Sequence, residues 1–102
     1  MIDENTLEEE IIDISVFFKM FSDPTRLKIL YLLEQEQELG VGTIAERLNM
    51  GQSAISQQLK VLRGSRLVRF RKDGRNILYR LSDEHIHSIL KLGKEHYEEL
   101  LG

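Results

Sequence analysis

Apolar side chains recur at helical spacing near the start of the chain. The segment 7–21 places its apolar residues along one stripe, at Leu7, Ile11, Ile14, Phe18 and Phe21. A stripe this wide predicts a helix that is largely buried. Asp23 can cap the next helix and Pro24 suits its first position, so a second helix is predicted to begin there and to end before the polar segment 35–40.

Two shorter helices are predicted next. Thr43 and Glu46 have the spacing of a capping box, which predicts a helix over 43–50 that ends at Gly51. Ser53 can cap a fourth helix, whose buried stripe is Ile55, Leu59 and Leu62. The other face of this fourth helix carries hydrogen-bonding side chains and a single charge: Gln52, Ser53, Ser56, Gln57 and Lys60.

This pair of helices is typical of a helix-turn-helix, although any small helical domain can pack two helices together. Glutamine pairs well with adenine and serine with several base edges, whereas an ordinary exposed helix is richer in Glu and Lys. The outer face of the fourth helix is therefore predicted to read DNA bases.

A β-hairpin is predicted to follow, from the runs 67–71 and 76–81 and a turn centred on Asp73-Gly74. Six apolar side chains are expected to face one another across it, in a register that the sequence leaves open: Leu67, Val68, Phe70, Ile77, Tyr79 and Leu81. The cations near its tip are Arg69, Arg71, Lys72 and Arg75. A basic hairpin after a helix-turn-helix is typical of a wing that reaches DNA phosphates or the minor groove.

Helical periodicity returns from Asp83 to the end of the printed sequence, with apolar residues at Ile86, Ile89, Leu90 and Leu100. The predicted order is α-α-α-α-β-β-α, a mainly α winged helix-turn-helix with a β-hairpin wing, as one domain over 1–102. A domain of 102 residues often gains stability by pairing, so we expect a homodimer.

Composition narrows the class of protein. The chain has no cysteine, which excludes disulfides and thiolate metal sites. No apolar run approaches the roughly 18 residues that a membrane span needs, so no membrane partner is expected. The first ten residues are acidic, unlike the basic start of a secretory signal, and we expect a soluble, cytoplasmic protein.

The net charge of −3 conceals a segregation of charge along the chain. Residues 1–50 carry 4 basic and 11 acidic side chains, residues 51–80 carry eight basic and one acidic, and residues 81–102 carry 2 basic and 5 acidic. A basic block of thirty residues within an acidic chain predicts contact with phosphates. A solvated basic face is the alternative.

All three histidines lie in the last helix, interleaved with acids. On a helical wheel His85, His96 and Glu99 share one stripe, together with the apolar Ile89 and Leu92. His85 and His96 are about 16 Å apart along the axis, so one helix cannot bring both to one ion. Two antiparallel copies crossing near residue 91 can do so, and symmetry then generates two equivalent sites.

Asp83 falls on the other side of a strict wheel, but it stands at the start of the helix, where the chain need not be regular. Asp83 and His85 of one subunit with His96 and Glu99 of the other form a tetrahedral set that suits Zn²⁺, and Co²⁺ similarly. Solvated helix residues are the alternative, and His87, facing away, receives no metal role.

Three ordered motifs resemble those of the ArsR/SmtB family of metal-sensing winged-helix transcriptional repressors: FSDPTRLKILYLL, TIAERLNMGQSAISQQLKVL and LVRFRKDGRNILYRL. The resemblance spans roughly residues 15–100 and implies a homodimer with helices at both ends in its interface. Asp-x-His followed by His-x-x-Glu is similar to the interhelical zinc site of zinc-responsive members. Where other members carry an ELCVC-type motif, this chain reads ELGVG, so thiophilic metals are not expected.

The expected function is therefore a zinc-responsive repressor, not an enzyme and without a small organic substrate. Base contacts are expected from Gln52, Ser53, Ser56 and Gln57, and phosphate contacts from Lys60, Arg71, Lys72 and Arg75. The resemblance implies that His96 donates a hydrogen bond to a backbone carbonyl near Arg66, and that this bond couples metal binding to DNA binding. One alternative is a repressor with a vestigial metal site that responds to another ligand or to cobalt or nickel. Another alternative is a protein-interaction module. A zinc hydrolase is disfavoured because four ligands leave no open position.

Overall fold

The computed structural model describes residues 3–102, which form five helices and three strands. In chain order they are α1 Glu4–Lys19, α2 Pro24–Glu36, β1 Leu39–Gly40, α3 Val41–Leu48, α4 Gln52–Gly64, β2 Val68–Asp73, β3 Asn76–Leu81 and α5 Glu84–Leu101. This is the predicted winged helix-turn-helix with one short strand added. Across this part of the chain, no helix combines the length and the apolar character needed to cross a membrane.

The core lies between α2, α3, α4, the start of α5 and the inner face of the sheet. Its fully buried side chains are Ile29, Leu30, Leu33, Ile44, Ile55, Leu59, Leu62, Leu67, Val68 and Leu90. The stripe predicted for α4 is confirmed, since all three of its members are in this set. Because α4 uses one face for the core, its opposite face must point to solvent.

The start of α2 also agrees with its sequence. Asp23 is the N-cap, and its carboxylate accepts a 3.0 Å hydrogen bond from the backbone N–H of Arg26. Pro24 occupies the first turn, where its missing N–H costs nothing. The Arg26 guanidinium donates to the carbonyls of Met20 and Lys19, and thereby supplies a cation to the C-terminal end of α1.

The prediction that the first helix is largely buried is wrong. No residue of α1 is buried, and Leu7, Ile11, Ile14 and Phe18 are each about half exposed. Only Phe17 and, just beyond the helix, Met20 and Phe21 pack against the core. The radius of gyration is 15.4 Å, against about 13 Å for a compact domain of 100 residues, because α1 stands away from the core.

Two predicted helix caps are also wrong. The helix α3 begins before Thr43, its N-cap is Gly40, and no side chain caps it. The N-cap of α4 is Gly51 rather than Ser53, again without a side-chain hydrogen bond. The turn between them is made by Asn49, which takes the left-handed conformation that asparagine tolerates, so Gly51 is not the residue that reverses the chain.

The sheet contains a strand that the sequence did not predict. Leu39 and Gly40 pair antiparallel with Tyr79 and Leu78, which gives the order β1-β3-β2. The hairpin is confirmed, and its register, which the sequence left open, places Val68 opposite Leu81 and Phe70 opposite Tyr79, while Ile77 pairs with Lys72. A two-residue strand carries no detectable alternation, and only its position beside β3 defines it.

The hairpin turn is displaced by one residue from the prediction. Asp73 pairs with Asn76, so the two loop residues are Gly74 and Arg75. Gly74 has φ +63°, and a glycine at the first of two loop positions matches the right-handed twist of the flanking strands. The turn therefore points Arg75 outwards at the tip of the wing, the name used below for the β2–β3 hairpin.

Asp23 caps a helix in the structure, whereas Thr43 and Ser53 do not, and this difference predicts different effects of their replacement on stability. Asp23→Ala should lower the free energy of unfolding by about 1 kcal/mol, because it leaves the Arg26 N–H without its partner. Thr43→Ala and Ser53→Ala should stay within about 0.5 kcal/mol of the original chain. Urea unfolding followed by circular dichroism measures all three, and an equal loss in Ser53→Ala would show that Ser53 caps α4 after all.

Candidate DNA-binding surface and metal site

The exposed face of α4 is polar along its length. Ile55, Leu59 and Leu62 anchor the helix to the core, and the residues on the opposite face are exposed: Gln52, Ser53, Ser56, Gln57 and Lys60. We call these five residues the α4 outer face. They offer amide and hydroxyl groups suited to base edges, with one cation suited to phosphate.

The wing lies next to the start of α4. A groove of about 530 Å³ runs between the first turn of α3 and the wing, and it brings Gln52 to the same cleft as Arg75 and Asn76. Because β1 leads directly into α3 and pairs with β3, the sheet sets the position of the wing relative to the two helices. The first residue of the α4 outer face, Gln52, and the wing-tip Arg75 therefore lie at the same cleft.

The cations of the wing are not equivalent. Lys72 and Arg75 are exposed and make no ion pair with any residue from 3 to 102. Arg71 instead donates from Nε and Nη2 to the two oxygens of Glu38, both at 2.8 Å. The hydrogen bonds from Arg71 hold the pKa of the Glu38 carboxyl below its ordinary value of 4.5, so Glu38 is ionised at neutral pH.

The residues predicted to bind metal lie on α5. Asp83 is the N-cap, and its Oδ1 accepts from the backbone N–H of His85 and of Ile86, at 2.9 and 3.2 Å. His85, His96 and Glu99 are exposed, while Ile86 and Leu90 hold the opposite face of the helix in the core. In a single copy of residues 3–102 no three His, Asp or Glu side chains gather closely enough to hold an ion.

Arg66 lies near one half of this predicted site. It has φ +61° in the turn after α4, and it lines a pocket with Ser82 and Asp83 at the start of α5. Within the described chain, His96 makes no hydrogen bond to the backbone of Arg66. The implied bond between them stays a prediction, and it requires His96 from a second copy.

A single side-chain hydrogen bond joins α5 to α2 within residues 3–102. The Tyr31 hydroxyl donates to the carbonyl of Leu90 at 2.7 Å, at a point between His85 and His96 along the helix. Burial raises the pKa of the Tyr31 phenol above its ordinary value of 10.0, and the Glu34 carboxylate adds to the shift. This hydrogen bond ties α5 to α2, against which α3 and α4 also pack.

Sequence reasoning missed Glu38 and Tyr31 as residues of this region. Glu38 precedes a strand too short to detect, so nothing in the sequence pointed to its contact with Arg71. Tyr31 fits the edge of the apolar stripe of α2, where Leu33 fits equally well, and it is only partly buried. A tyrosine needs a partner for its hydroxyl when it is buried, and that requirement was the available signal.

The comparisons with known proteins agree with this geometry. A family model described as "bacterial regulatory protein, arsR family" matches residues 23–69. The chain is 39% identical over 83 residues to a transcriptional repressor SmtB homolog of Synechocystis sp., a match that covers 81% of this chain and 62% of that protein. It is 33% identical over 88 residues to a cadmium resistance transcriptional regulatory protein CadC homolog of Staphylococcus aureus, covering 86% and 73% respectively.

Solved structures show the same fold. HlyU from Vibrio cholerae in its reduced form superposes with a TM-score of 0.80 at 34% identity, over 89% of this chain and 95% of that one. A winged helix-turn-helix DNA-binding domain from Mycobacterium bovis, described as homodimeric and as a possible ArsR-family regulator, gives a TM-score of 0.88 at 26% identity. That match covers 97% of this chain and 91% of that one.

An exposed polar helix beside a basic wing, on a winged helix-turn-helix scaffold, defines the class of DNA-binding regulators. Within that class the chain belongs to the arsR family of bacterial regulatory proteins. The prediction that it is not an enzyme is confirmed, because the family and these relatives are transcriptional regulators.

The contact between Tyr31 and α5 gives a testable expectation. Tyr31→Phe should lower the free energy of unfolding by about 1 kcal/mol, because the hydroxyl bond to Leu90 is lost. A raised phenol pKa stabilises the fold below pH 10.0, and that contribution is lost as the pH rises through the higher folded value. Ultraviolet titration should therefore show a late-ionising phenol that Tyr31→Phe removes.

Tyr97→Phe is the matched control, since Tyr97 is exposed and makes no side-chain hydrogen bond within residues 3–102. Its stability should change by less than about 0.5 kcal/mol. Equal losses in the two variants would contradict the role given to the Tyr31 hydroxyl.

Proposed function

We propose that this protein is a zinc-responsive transcriptional repressor, which binds operator DNA as a homodimer and leaves it when Zn²⁺ binds between the two α5 helices. The observation that carries the DNA-binding part is the α4 outer face beside the basic wing. The proposed base contacts come from Gln52, Ser53, Ser56 and Gln57, and the proposed phosphate contacts from Lys60, Lys72 and Arg75.

The proposed homodimer is supported by apolar surface that one chain leaves open. On α1 these side chains include Ile12 at 62% exposure, and on α5 they include Leu92 at 63% and Leu100 at 73%. A groove of about 620 Å³ between α1, α2 and α5, lined by Phe18, Tyr31 and Tyr97, continues the same surface. Surface of this extent on an isolated chain is typical of an interface. A dimer places two α4 helices for two half-sites about 34 Å apart.

The donor set on α5 fits zinc. Two imidazoles and two carboxylates supply four nitrogen and oxygen ligands, and all four side chains are exposed on this helix or at its start. Asp83 uses Oδ1 for the helix cap, which leaves Oδ2 free. Leu92 lies between His85 and His96 and is exposed, so the face that bears the ligands is also the face that a second α5 would cover. Cobalt suits the same ligands.

Zinc held between subunits would fix the position of one α5 relative to the other. Contacts of α5 within each subunit would then relate that position to the rest of the fold. Asp83 and Arg66 line the same pocket at the start of α5, and the Tyr31 hydroxyl joins the middle of α5 to α2. Zinc binding should lower the affinity for DNA by about 5–150-fold, and DNA binding should lower the affinity for zinc by the same factor.

A regulator without a working metal site is the second candidate. It is favoured by the similarity to HlyU of Vibrio cholerae, a protein described as a transcriptional activator, at 38% identity over 77 residues. In that case the exposed α5 face would serve pairing alone. Zinc titration by calorimetry separates the two, because a vestigial site binds no zinc at micromolar concentration.

His96→Ala tests the assigned metal site. Because His96 is exposed and lies away from the α4 outer face, the variant should bind the DNA flanking its own gene with unchanged affinity and should no longer be released by zinc. Gel shifts with zinc and with a chelator measure both properties. His87→Ala is the matched control and should keep its zinc response; zinc release that survives in His96→Ala would remove this residue from the site.

Gln57→Ala and Arg75→Ala test the assigned DNA surface. Replacing Gln57 should remove about 1–3 kcal/mol of discrimination at the base pair that it contacts. Replacing Arg75 should weaken binding to all DNA sequences. Neither variant should change the zinc stoichiometry, because both side chains lie on elements other than α5. Operator affinity by fluorescence anisotropy is the measurement, and full affinity in both variants would place the DNA surface elsewhere.

A further inference from the structure

The ion pair between Arg71 and Glu38 lies on the outer face of the sheet. Val68 and Leu81 pair on the buried face, so the alternation along the strands puts Arg71 and its partner Leu78 on the opposite face. Glu38 immediately precedes Leu39, which pairs with Tyr79, and so it stands next to Arg80 at the edge of the sheet. The Arg71 side chain must therefore cross β3 to reach it.

This contact draws Arg71 away from the tip of the wing. The tip is formed by Asp73 to Asn76, whereas Glu38 stands at the level of Arg80, nearer the base of the hairpin. Both hydrogen bonds are 2.8 Å long and join parallel edges of the two groups, which is the strong bidentate geometry of an arginine with a carboxylate. Two of the three guanidinium nitrogens are thus already occupied.

A DNA phosphate would compete with Glu38 for the same donors. The carboxylate offers Arg71 two oxygens at short distance, and its charge opposes the approach of a second anion to that position. Lys72 and Arg75 have no comparable partner within residues 3–102, so their charge remains available. The Arg71 side chain is 52% exposed and the Glu38 side chain 25%, so the pair is open to solvent on the arginine side. Such pairs add little to stability, and removing the Glu38 charge should leave the fold intact.

We infer that Glu38 is an affinity-determining residue that holds the Arg71 guanidinium off the DNA and so limits the number of phosphates the wing contacts. The inference rests on the proposed DNA binding. Arg71 thus lies on the wing, but its charge is neutralised by Glu38 of the same subunit. Glu38→Gln keeps the shape of the side chain and removes the charge that retains Arg71.

The salt dependence of DNA binding tests this inference, because it counts phosphate contacts. The probe is a fluorescein-labelled duplex of random sequence, about 30 base pairs long, enough for two half-sites one turn apart. Glu38→Gln should steepen the slope of log affinity against log salt by about 0.9 for each Arg71 that reaches a phosphate. For one such contact, the loss of affinity between 50 and 200 mM salt should grow by about 3.5-fold.

A double-mutant cycle shows whether Arg71 is the cation released. Arg71→Gln alone should leave the original slope unchanged, and Glu38→Gln with Arg71→Gln should return to that slope. Glu9→Gln, which removes the same charge from an exposed, unpaired position on α1, should not steepen it. Circular dichroism of each variant confirms that the fold is retained.

Two results would overturn the inference. Weaker binding by Glu38→Gln, with a slope reduced by about 0.9 in Arg71→Gln, would mean that Glu38 positions Arg71 on the DNA instead. An unchanged slope in Glu38→Gln would mean that the freed arginine does not reach a phosphate. If the original chain does not bind the duplex at all, the proposed function falls and this inference with it.

Discussion

The apolar surface that α1 and α5 leave uncovered is the constraint on which the rest of the molecule depends. One face of α5 holds Ile86 and Leu90 in the core, so its other face, with His85, Leu92 and His96, cannot be covered by the same chain. The two histidines are about 16 Å apart along the helix, too far to share an ion within one copy. Burial of the apolar surface and completion of the proposed four-ligand site would therefore both require a second copy of α5.

The proposed DNA-binding surface and the α5 face that bears the predicted metal ligands lie on different elements of the fold. Core residues of α4 fix its outer face towards solvent, and the pairing of β1 with β3 places the wing beside the start of that helix. The helix α5 meets this core through the buried Ile86 and Leu90 and through the hydrogen bond from Tyr31 to the carbonyl of Leu90. A regulator needs such contacts, because an effector can shift an equilibrium only through elements that differ between its two states.

The sequence predicted what depends on local pattern and missed what depends on tertiary partners. The α4 stripe, the Asp23 cap and the hairpin of the wing could all be predicted, because burial, capping and turns follow from local spacing. The burial of α1 was misjudged because an apolar stripe shows that a face will be covered and cannot show by which chain. Glu38 and Arg71 are 33 residues apart in sequence, and Glu38 is placed only by the two-residue strand that follows it. A strand this short has no periodicity from which the contact could be predicted.

Mixing two defective subunits tests the shared α5 site most directly. In a heterodimer of His85→Ala with His96→Ala, one of the two sites loses both histidines and the other keeps its full set, because each site draws one histidine from each chain. Each variant alone should bind zinc poorly, and after unfolding and refolding together at equal amounts the mixture should recover about a quarter of the original stoichiometry. No recovery in a mixture shown to contain heterodimers would mean that His85 and His96 of different subunits do not share an ion.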